Sequence, residues 1–199
     1  MDKIICVGKN YLEHAKELGD AVPEKPVLFL KPPSSLIENS KEGSVTLPQG
    51  RGQIHPECEI VARIRMTPRG PEIDAVTLGL DLTLRDIQAQ LKKNGHPWEI
   101  SKVFAGSAVI GPWISLSSFE NYLDHEFSFS VDGQVRQKGK GREMRVLPAD
   151  CLKAASESFP ICDGDLLFTG TPAGVGPVLP GQISELKWED RLSFQVHWK

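Results

Sequence analysis

Two long apolar segments of this sequence are interrupted by acidic residues, and that combination strongly restricts how the chain can fold. Residues 54–64 read IHPECEIVARI and residues 75–84 read AVTLGLDLTL. Side chains two residues apart on a strand point to the same face, so Glu57 and Glu59 would lie side by side with His55. Asp81 interrupts the second segment, where a buried carboxylate without a partner is costly. The fold therefore has to provide these acids with a partner.

Two interpretations of the acidic residues are open. If Glu57 and Glu59 face solvent, no partner is needed, and a Glu-x-Glu pattern taken alone favours this simpler case. The alternative is a divalent cation bound by Glu57, Glu59 and Asp81. Three carboxylates without a convergent sulfur form a hard oxygen site, which favours Mg²⁺ or Mn²⁺ over zinc. Zinc at His55 and Cys58 is excluded because these residues face opposite ways on a strand. A metal held by only three protein oxygens keeps positions open for substrate, which is typical of a catalytic site.

Size, charge and cysteine content set the broad class of protein. The chain has 199 residues with 40% hydrophobic composition, which suits one domain over residues 1–199. A net charge of -3 without a basic tract disfavours nucleic-acid binding. The four cysteines are scattered and form no C-x-x-C pair, which is typical of reduced thiols in the cytoplasm. No signal peptide or membrane-spanning segment is expected.

The local patterns predict a β-rich α+β fold. Helices are predicted over residues 10–19, with Asn10 as N-cap and Gly19 as the stop, from about Thr83, and over residues 148–158. The polar stretch 33–53 is predicted to be a long loop or hairpin. Strands are predicted at residues 3–8, 26–32, 57–64 and 75–84, and after Trp113 around residues 127–133, 163–172 and 192–198. Regular βαβ alternation is not present, which argues against a doubly wound fold.

Six motifs occur in an order that resembles the fumarylacetoacetate hydrolase family, specifically its short single-domain acylpyruvases and oxaloacetate decarboxylases. They are VGKNYLEHAKEL, PVLFLKP, HPECEI, LDLTLRDIQ, PWEISKVF and TGTPAGVGP, and together they cover nearly the whole chain. The resemblance implies a β-roll of mixed, mostly antiparallel sheets with peripheral helices, assembled as a homodimer. It also places metal ligands on Glu57, Glu59 and Asp81, the acids already selected.

The resemblance implies roles for six further residues. It places a general-base pair on His14 and Glu17 and a conserved lysine on Lys102. It places substrate contacts on Arg85, Gln88 and Thr171. The i, i+3 spacing of His14 and Glu17 on a helix allows the carboxylate to orient the imidazole. A solvated histidine on a charged helix is the simpler interpretation of the same pattern. Arg85 and Gln88 are equally consistent with an ordinary polar helix surface.

Such a site predicts enolate chemistry on a 2-oxo acid. We expect metal-dependent cleavage of a C–C bond in acylpyruvates such as acetylpyruvate or fumarylpyruvate, through the enolate of pyruvate. His14 would activate water, and Lys102 would stabilise the oxyanion or the enolate. Decarboxylation or tautomerisation of oxaloacetate passes through the same enolate. An isomerase or decarboxylase of unsaturated oxo-dicarboxylates therefore stays open, as does a non-catalytic 2-oxo-acid binding protein.

Overall fold

The computed structural model describes residues 1–17, 19, 23–39 and 42–199, in which thirteen strands form two β-sheets. In chain order the strands are β1 (Ile4–Gly8), β2 (Val27–Lys31), β3 (Leu36–Glu38), β4 (Glu42–Val45), β5 (Ile54–Thr67), β6 (Gly70–Leu84), β7 (Ala108–Ile110), β8 (Ile114–Ser115), β9 (Glu126–Val131), β10 (Gln134–Lys140), β11 (Leu166–Phe168), β12 (Ile183–Trp188) and β13 (Leu192–Trp198). The α-helices in these residues are α1 (Leu12–Glu17), α2 (Arg85–Asn94), α3 (Glu99–Lys102) and α4 (Pro148–Ser158).

The two sheets are mixed and mostly antiparallel. The larger has the strand order β2-β1-β11-β5-β6-β7-β3, and β8 pairs with β6 outside this order. Its β1–β11 and β7–β3 pairs are parallel. The smaller sheet has the order β10-β9-β12-β13-β4, in which the β13–β4 pair is parallel. The predicted β-rich α+β class with mixed sheets is confirmed.

The hairpin of β5 and β6 is buried on both of its faces. Cys58 and Ile60 of β5 face a core that includes side chains of the smaller sheet, such as Phe129. Val61 belongs to a second apolar cluster with Phe168. Because successive side chains of a strand alternate, odd-numbered residues of β5 lie on the face of Val61, away from that core. An acidic residue at either kind of position is therefore removed from water.

The predicted helices are present with shifted beginnings. Helix α1 begins at Leu12, so Asn10 is not its N-cap; the Asn10 side-chain amide donates hydrogen bonds to the carbonyls of Val146 and Thr169 instead. Residue 18 of this predicted helix lies outside the described residues. Helix α2 begins at Arg85, two residues later than predicted. Helix α4 spans the predicted residues 148–158. In the described part of the chain, no helix is both long enough and apolar enough to cross a membrane.

The structure differs from the sequence analysis in three other features. The stretch 33–53 is not a loop or hairpin, because β3 and β4 join different sheets, although residues 40 and 41 lie outside the described residues. Helix α3 was not predicted, since four residues are too few to give a helical pattern. Strand β5 is longer than predicted and contains Pro56. Proline cannot donate a backbone hydrogen bond, so it is tolerated where a strand has a neighbouring strand on one side only. At Pro56 that neighbour is β6, because β11 pairs with β5 at residues 61–63.

Candidate functional site

The three acidic residues meet on one face of the β5–β6 hairpin. Glu57 lies directly opposite Asp81 in the strand register, and Glu59 lies opposite Gly79. Their side chains can bring carboxylate oxygens within 4.8 Å of one another. Relative exposures are 6% for Glu57, 2% for Glu59 and 1% for Asp81. The interpretation in which the glutamates face solvent is therefore wrong, and the predicted convergence of the three acids is correct.

Two buried lysines and an arginine surround the acids. The Lys102 ammonium donates hydrogen bonds to Oε2 of Glu57 at 2.8 Å and to Oδ2 of Asp81 at 2.6 Å. Arg85 forms an ion pair with the other oxygen of Glu57. The Lys31 ammonium, which is fully buried, lies 2.7 Å from Oδ1 of Asp81. The sequence analysis did not select Lys31, although a lysine inside the apolar run PVLFLKP was a signal.

Lys31 also fixes the backbone around the site. Its ammonium donates hydrogen bonds to the carbonyls of Ser107 at 2.8 Å and Leu82 at 3.3 Å, and to the carbonyl of Lys102. Leu82 follows Asp81 in β6, and Lys102 ends α3. One buried cation therefore ties the strand that carries Asp81 to the helix that carries Lys102.

The charges of the cluster are unevenly compensated. Burial alone would raise the pKa of Glu57, but the ammonium of Lys102 and the guanidinium of Arg85 outweigh it and lower that pKa. Burial opposes the charge of Lys102, yet Asp81 and Glu57 raise its pKa. The pKa of Glu59 is raised well above its usual range, by burial first and then by the charges of Asp81 and Glu57. Glu59 accepts a hydrogen bond from the Gly170 N–H at 2.7 Å, but it has no ion pair in the described part of the chain.

This donor set fits a divalent cation that prefers oxygen. The three carboxylates are close together and offer no sulfur ligand. Oδ1 of Asp81 is buried and accepts no hydrogen bond from the described residues, despite its ion pair with Lys31. Glu59 in turn has no ion pair among the described residues, and its raised pKa shows that burial and the neighbouring acids disfavour its charged form. Mg²⁺ or Mn²⁺ at Glu57, Glu59 and Asp81 would meet both needs.

His14 and Glu17 form the predicted pair. Nδ1 of His14 lies 3.2 Å from Oε2 of Glu17. His14 is 5% exposed, so the interpretation of a solvated helix histidine is wrong. The Gly174 N–H donates to both carboxylate oxygens of Glu17 at 3.2 Å, which holds this acid against the 169–174 loop. The role of the pair as a general base stays a prediction.

Arg85 and Gln88 project from the first turn of α2 towards the acids. Nη1 of Arg85 donates a hydrogen bond to Oε1 of Gln88 at 2.7 Å, and Gln88 is buried. Nε of Arg85 is buried without a hydrogen-bond partner among the described residues. Their interpretation as an ordinary polar surface is therefore wrong. An unpaired donor beside the acids is what a polar ligand could use, and substrate contact stays a prediction.

The loop after β11 runs along β5 beside the acids. Gly170 has φ of 94°, and a Cβ there would lie 2.8 Å from Cβ of Asn10, so glycine is required. The Thr171 hydroxyl donates to the carbonyl of Cys58 at 2.8 Å and accepts from Nε2 of Gln137 at 2.8 Å. Oε1 of Gln137 accepts the N–H of Cys58, which lies between the two glutamates. Gln137 was missed, because in sequence it looks like any polar residue of an exposed strand.

These residues open into one cleft. It is lined by eight of the nine predicted site residues, namely His14, Glu57, Glu59, Asp81, Arg85, Gln88, Lys102 and Thr171. Glu17 does not line the cleft and contacts it through His14. Seven lining residues were not predicted, namely Val7, Gly8, Lys9, Phe29, Lys92, Trp98 and Gly170. Cationic and aromatic side chains thus line the cleft around the buried carboxylates of Glu57, Glu59 and Asp81.

Comparison with known proteins gives consistent matches along the chain. The family model for the fumarylacetoacetate (FAA) hydrolase C-terminal domain matches residues 3–196. Oxaloacetate tautomerase YcgM of Escherichia coli is 37% identical over 189 residues, which cover 91% of this chain and 85% of that protein. The mitochondrial oxaloacetate decarboxylase of Dictyostelium discoideum is 37% identical over 190 residues, covering 91% of this chain and 86% of that protein.

Solved structures match equally well. A fumarylacetoacetate hydrolase family protein from Yersinia pestis superposes with a TM-score of 0.91 at 32% identity, covering 100% of this chain and 94% of that chain. Fumarylpyruvate hydrolase from Pseudomonas aeruginosa, solved in complex with Mn²⁺ and pyruvate, has a TM-score of 0.89 at 32% identity. That match covers 98% of this chain and 88% of the other.

Proposed function

This chain belongs to the fumarylacetoacetate hydrolase family and has its β-rich fold, and we propose that it forms and protonates the enolate of a 2-oxo acid, with tautomerisation of oxaloacetate as the first candidate reaction. The observation that carries the proposal is the buried convergence of Glu57, Glu59 and Asp81 at the base of a cleft lined by cations. The relatives named as oxaloacetate tautomerase and decarboxylase, each 37% identical, favour this substrate.

Mg²⁺ or Mn²⁺, held by Glu57, Glu59 and Asp81, would supply positive charge to stabilise the developing enolate oxygen. The protein itself contributes the geometry. The strand register and Lys102 fix Glu57 and Asp81. These carboxylates therefore keep their arrangement without a ligand. This preorganisation would hold the cation where negative charge develops, and such fixed positive charge lowers the barrier to enolate formation.

His14 would move the proton. Its Nδ1 faces the Glu17 carboxylate, so Nε2 is the nitrogen that exchanges a proton with substrate. In tautomerisation it would take the proton from C3 of the keto form, and the enolate oxygen would then be protonated to give the enol. Glu17, itself held by the Gly174 N–H, would stabilise the imidazolium that forms between these steps.

The cationic lining suits an anionic substrate. Lys9, Arg85, Lys92 and Lys102 all line the cleft. A bound metal would neutralise most of the acidic charge, so that the net charge of the cleft would favour carboxylates. Arg85, with its unpaired Nε–H, would orient one substrate carboxylate, with Gln88 and Thr171 beside it.

Hydrolysis of acylpyruvates is the second candidate, and the His14–Glu17 pair favours it. A buried histidine held by a carboxylate can activate water for attack on a distal carbonyl, after which the C–C bond breaks to give a carboxylic acid and the enolate of pyruvate. Fumarylpyruvate hydrolase, whose structure was solved with Mn²⁺ and pyruvate, is a relative that is named for such a hydrolysis. A non-catalytic binding protein would gain nothing from such a pair.

One experiment separates these activities. Purified protein is mixed with oxaloacetate, acetylpyruvate or fumarylpyruvate in Mg²⁺ or in excess chelator, while enol absorbance and pyruvate are followed. Faster enol–keto exchange of oxaloacetate without pyruvate supports the tautomerase, pyruvate from oxaloacetate supports the decarboxylase, and pyruvate from an acylpyruvate supports the hydrolase. His14→Gln should abolish the activity, and Lys16→Gln, an exposed position on the same helix, should not. Turnover of none of the three substrates would contradict the proposal.

A further inference from the structure

Helix α1, which carries His14 and Glu17, is too short to hold its own position. It has only six residues, and isolated helices of such a length are marginal in water. Contacts at its two ends must therefore place the imidazole of His14. At the end of the helix, the Gly174 N–H holds Glu17. Just before its beginning lies Asn10, which is 1% exposed.

The carboxamide of Asn10 joins the beginning of α1 to two other segments of the chain. Its Nδ2 donates hydrogen bonds to the carbonyls of Thr169 and Val146, both at 2.8 Å. Its Oδ1 accepts the Val146 N–H at 2.9 Å. The backbone carbonyl of Asn10 also accepts the Arg145 N–H, at 2.8 Å. The two N–H groups and the oxygen of the carboxamide are all used, and no hydroxyl or carboxylate could make these three bonds.

The loop that Asn10 contacts is attached to β5 by bonds of its own. The N–H and the hydroxyl of Thr169 both donate to the carbonyl of Ile60, at 3.2 Å and 2.7 Å. The N–H of Gly170 donates to the Glu59 carboxylate at 2.7 Å. None of these bonds involves Asn10. The carboxamide therefore holds α1 against the loop, whereas the loop stays on β5 without it.

We propose that Asn10 is a positioning residue, which holds α1 so that His14 keeps a fixed distance from the three carboxylates of the candidate metal site. The inference rests on the proposed function, because that function assigns proton transfer to His14. The path of contacts is short, since Asn10 bonds to Thr169 and the next residue, Gly170, bonds to Glu59. A change at Asn10 should therefore displace the proton-transferring group and leave the metal ligands in place.

Turnover and binding separate positioning from a loss of folded protein. Asn10→Ala removes the carboxamide, so that α1 is no longer held at its beginning. A misplacement of about 1 Å can cost roughly 100-fold in rate, so we expect kcat for enol–keto exchange of oxaloacetate to fall about tenfold to 100-fold. KM and the dissociation constant of oxalate in Mg²⁺ should change little. If the wild-type protein turns over an acylpyruvate instead, kcat and KM are measured with that substrate.

Hydrogen exchange measures the hold on α1 without any activity. In Asn10→Ala, the amides of residues 12–17 should exchange faster than in the wild-type protein, because the helix opens locally more often. The amides of Thr169 and Gly170 should keep their protection, since their bonds to Ile60 and Glu59 remain. A general loss of stability would instead speed up exchange in both segments.

Asn39→Ala is the matched control. Asn39 is 4% exposed, and its amide donates to the carbonyl of Gln195 in β13 at 2.7 Å. The variant therefore loses a buried amide contact of the same kind, at a residue that does not line the cleft. We expect it to lose stability but to keep both kcat and the exchange rates of residues 12–17.

The failures of the two proposals are distinguishable. Asn10→Ser is measured beside Asn10→Ala and decides the question if the latter does not fold. The positioning role is overturned if a folded variant keeps the wild-type kcat, if oxalate binding is lost together with kcat, or if both segments lose protection together. Failure of both variants to fold would also overturn it, because the whole fold would then require Asn10. If the wild-type protein turns over none of the substrates, the proposed function fails, and the exchange measurement still shows whether Asn10 holds α1.

Discussion

Asp81 lies directly across the β5–β6 pair from Glu57, and the ammonium group of Lys102 donates hydrogen bonds to both carboxylates. The register fixes the distance between the strands, and the lysine is shared by both carboxylates, while Arg85 also pairs with Glu57 and Lys31 with Asp81. Lys102 therefore serves as the internal counter-ion of the site. A bound metal would have to share the two carboxylates with it.

Replacing this counter-ion should destabilise the metal-free protein. Lys102→Met leaves Glu57 and Asp81 buried with less compensation, and breaking such a pair costs about 3–5 kcal/mol in the free energy of unfolding. Mg²⁺ or Mn²⁺ should recover part of this loss, because the cation replaces the missing charge. Denaturant unfolding with and without metal measures both effects. Lys16→Met on the exposed surface is the control. Equal stability of Lys102→Met and wild type in chelator would contradict the role of Lys102 as counter-ion.

Replacing Glu59 should stabilise the metal-free protein, whereas replacing Lys102 should destabilise it. It is buried beside two other carboxylates and has no ion pair in the described part of the chain. Glu59→Gln removes a carboxyl whose ionised form is disfavoured by burial and by Asp81 and Glu57, and it keeps an oxygen for the Gly170 N–H. We expect the melting temperature in chelator to rise by a few degrees, where 1 kcal/mol corresponds to about 2–4 °C for a chain of this size. Adding Mg²⁺ should raise the melting temperature of the wild-type protein but not that of Glu59→Gln. A lower melting temperature in chelator would show that the Glu59 charge is already compensated.

The acidic site could be predicted from sequence because its signals are local. The two-residue period of a strand places Glu57 and Glu59 on one face, and the cost of burying Asp81 requires a partner. Lys31 and Gln137 could not be assigned in this way. Their contacts depend on which distant strands become neighbours, and that follows from the packing of the whole chain. Roles for His14 and Thr171 came from the family resemblance, and the homodimer that it implies stays a prediction.

Asp165, a buried carboxylate away from the site, gives a pH-dependent prediction. Asp165 accepts the N–H groups of Asp2 at 2.8 Å, Lys3 at 3.0 Å and Cys162 at 2.9 Å, and the Lys3 ammonium at 2.9 Å. Burial would raise the pKa of Asp165, but these donors outweigh it and lower the pKa. The ionised carboxylate therefore stabilises the fold above the unfolded pKa of about 3.9, and this contribution is lost as the pH falls through the lower folded value.

Asp165→Asn should reduce the free energy of unfolding at pH 7 by about 1.5–3 kcal/mol, the range for hydrogen bonds to a charged group. The difference from wild type should shrink as the pH is lowered below about 4, since the wild-type carboxylate is then increasingly protonated. Urea unfolding of both proteins at several pH values measures this difference in the free energy of unfolding. Asp190→Asn, whose side chain is 90% exposed, is the control. A difference that stays constant with pH would contradict this account.

Gln137 should couple the smaller sheet to the candidate site. A register shift between Val135 and Gln137 in β10 marks where this side chain turns towards β5. Its amide accepts the Cys58 N–H at 3.0 Å and donates to Thr171 and to the carbonyl of Pro172. Gln137→Met leaves these buried groups unpaired, which costs about 1–3 kcal/mol of stability.

Gln137→Glu separates positioning from stability, because it keeps the acceptor for the Cys58 N–H and loses both donors to the loop. We expect metal affinity to change little and oxalate affinity in Mg²⁺ to fall about tenfold, since Thr171 is no longer held against the cleft while Glu57 and Glu59 are. Calorimetry with metal alone and then with oxalate measures the two steps. Gln134→Glu, exposed on the same strand, is the matched control. Equal oxalate affinity in Gln137→Glu and wild type would show that the loop keeps its position without this amide.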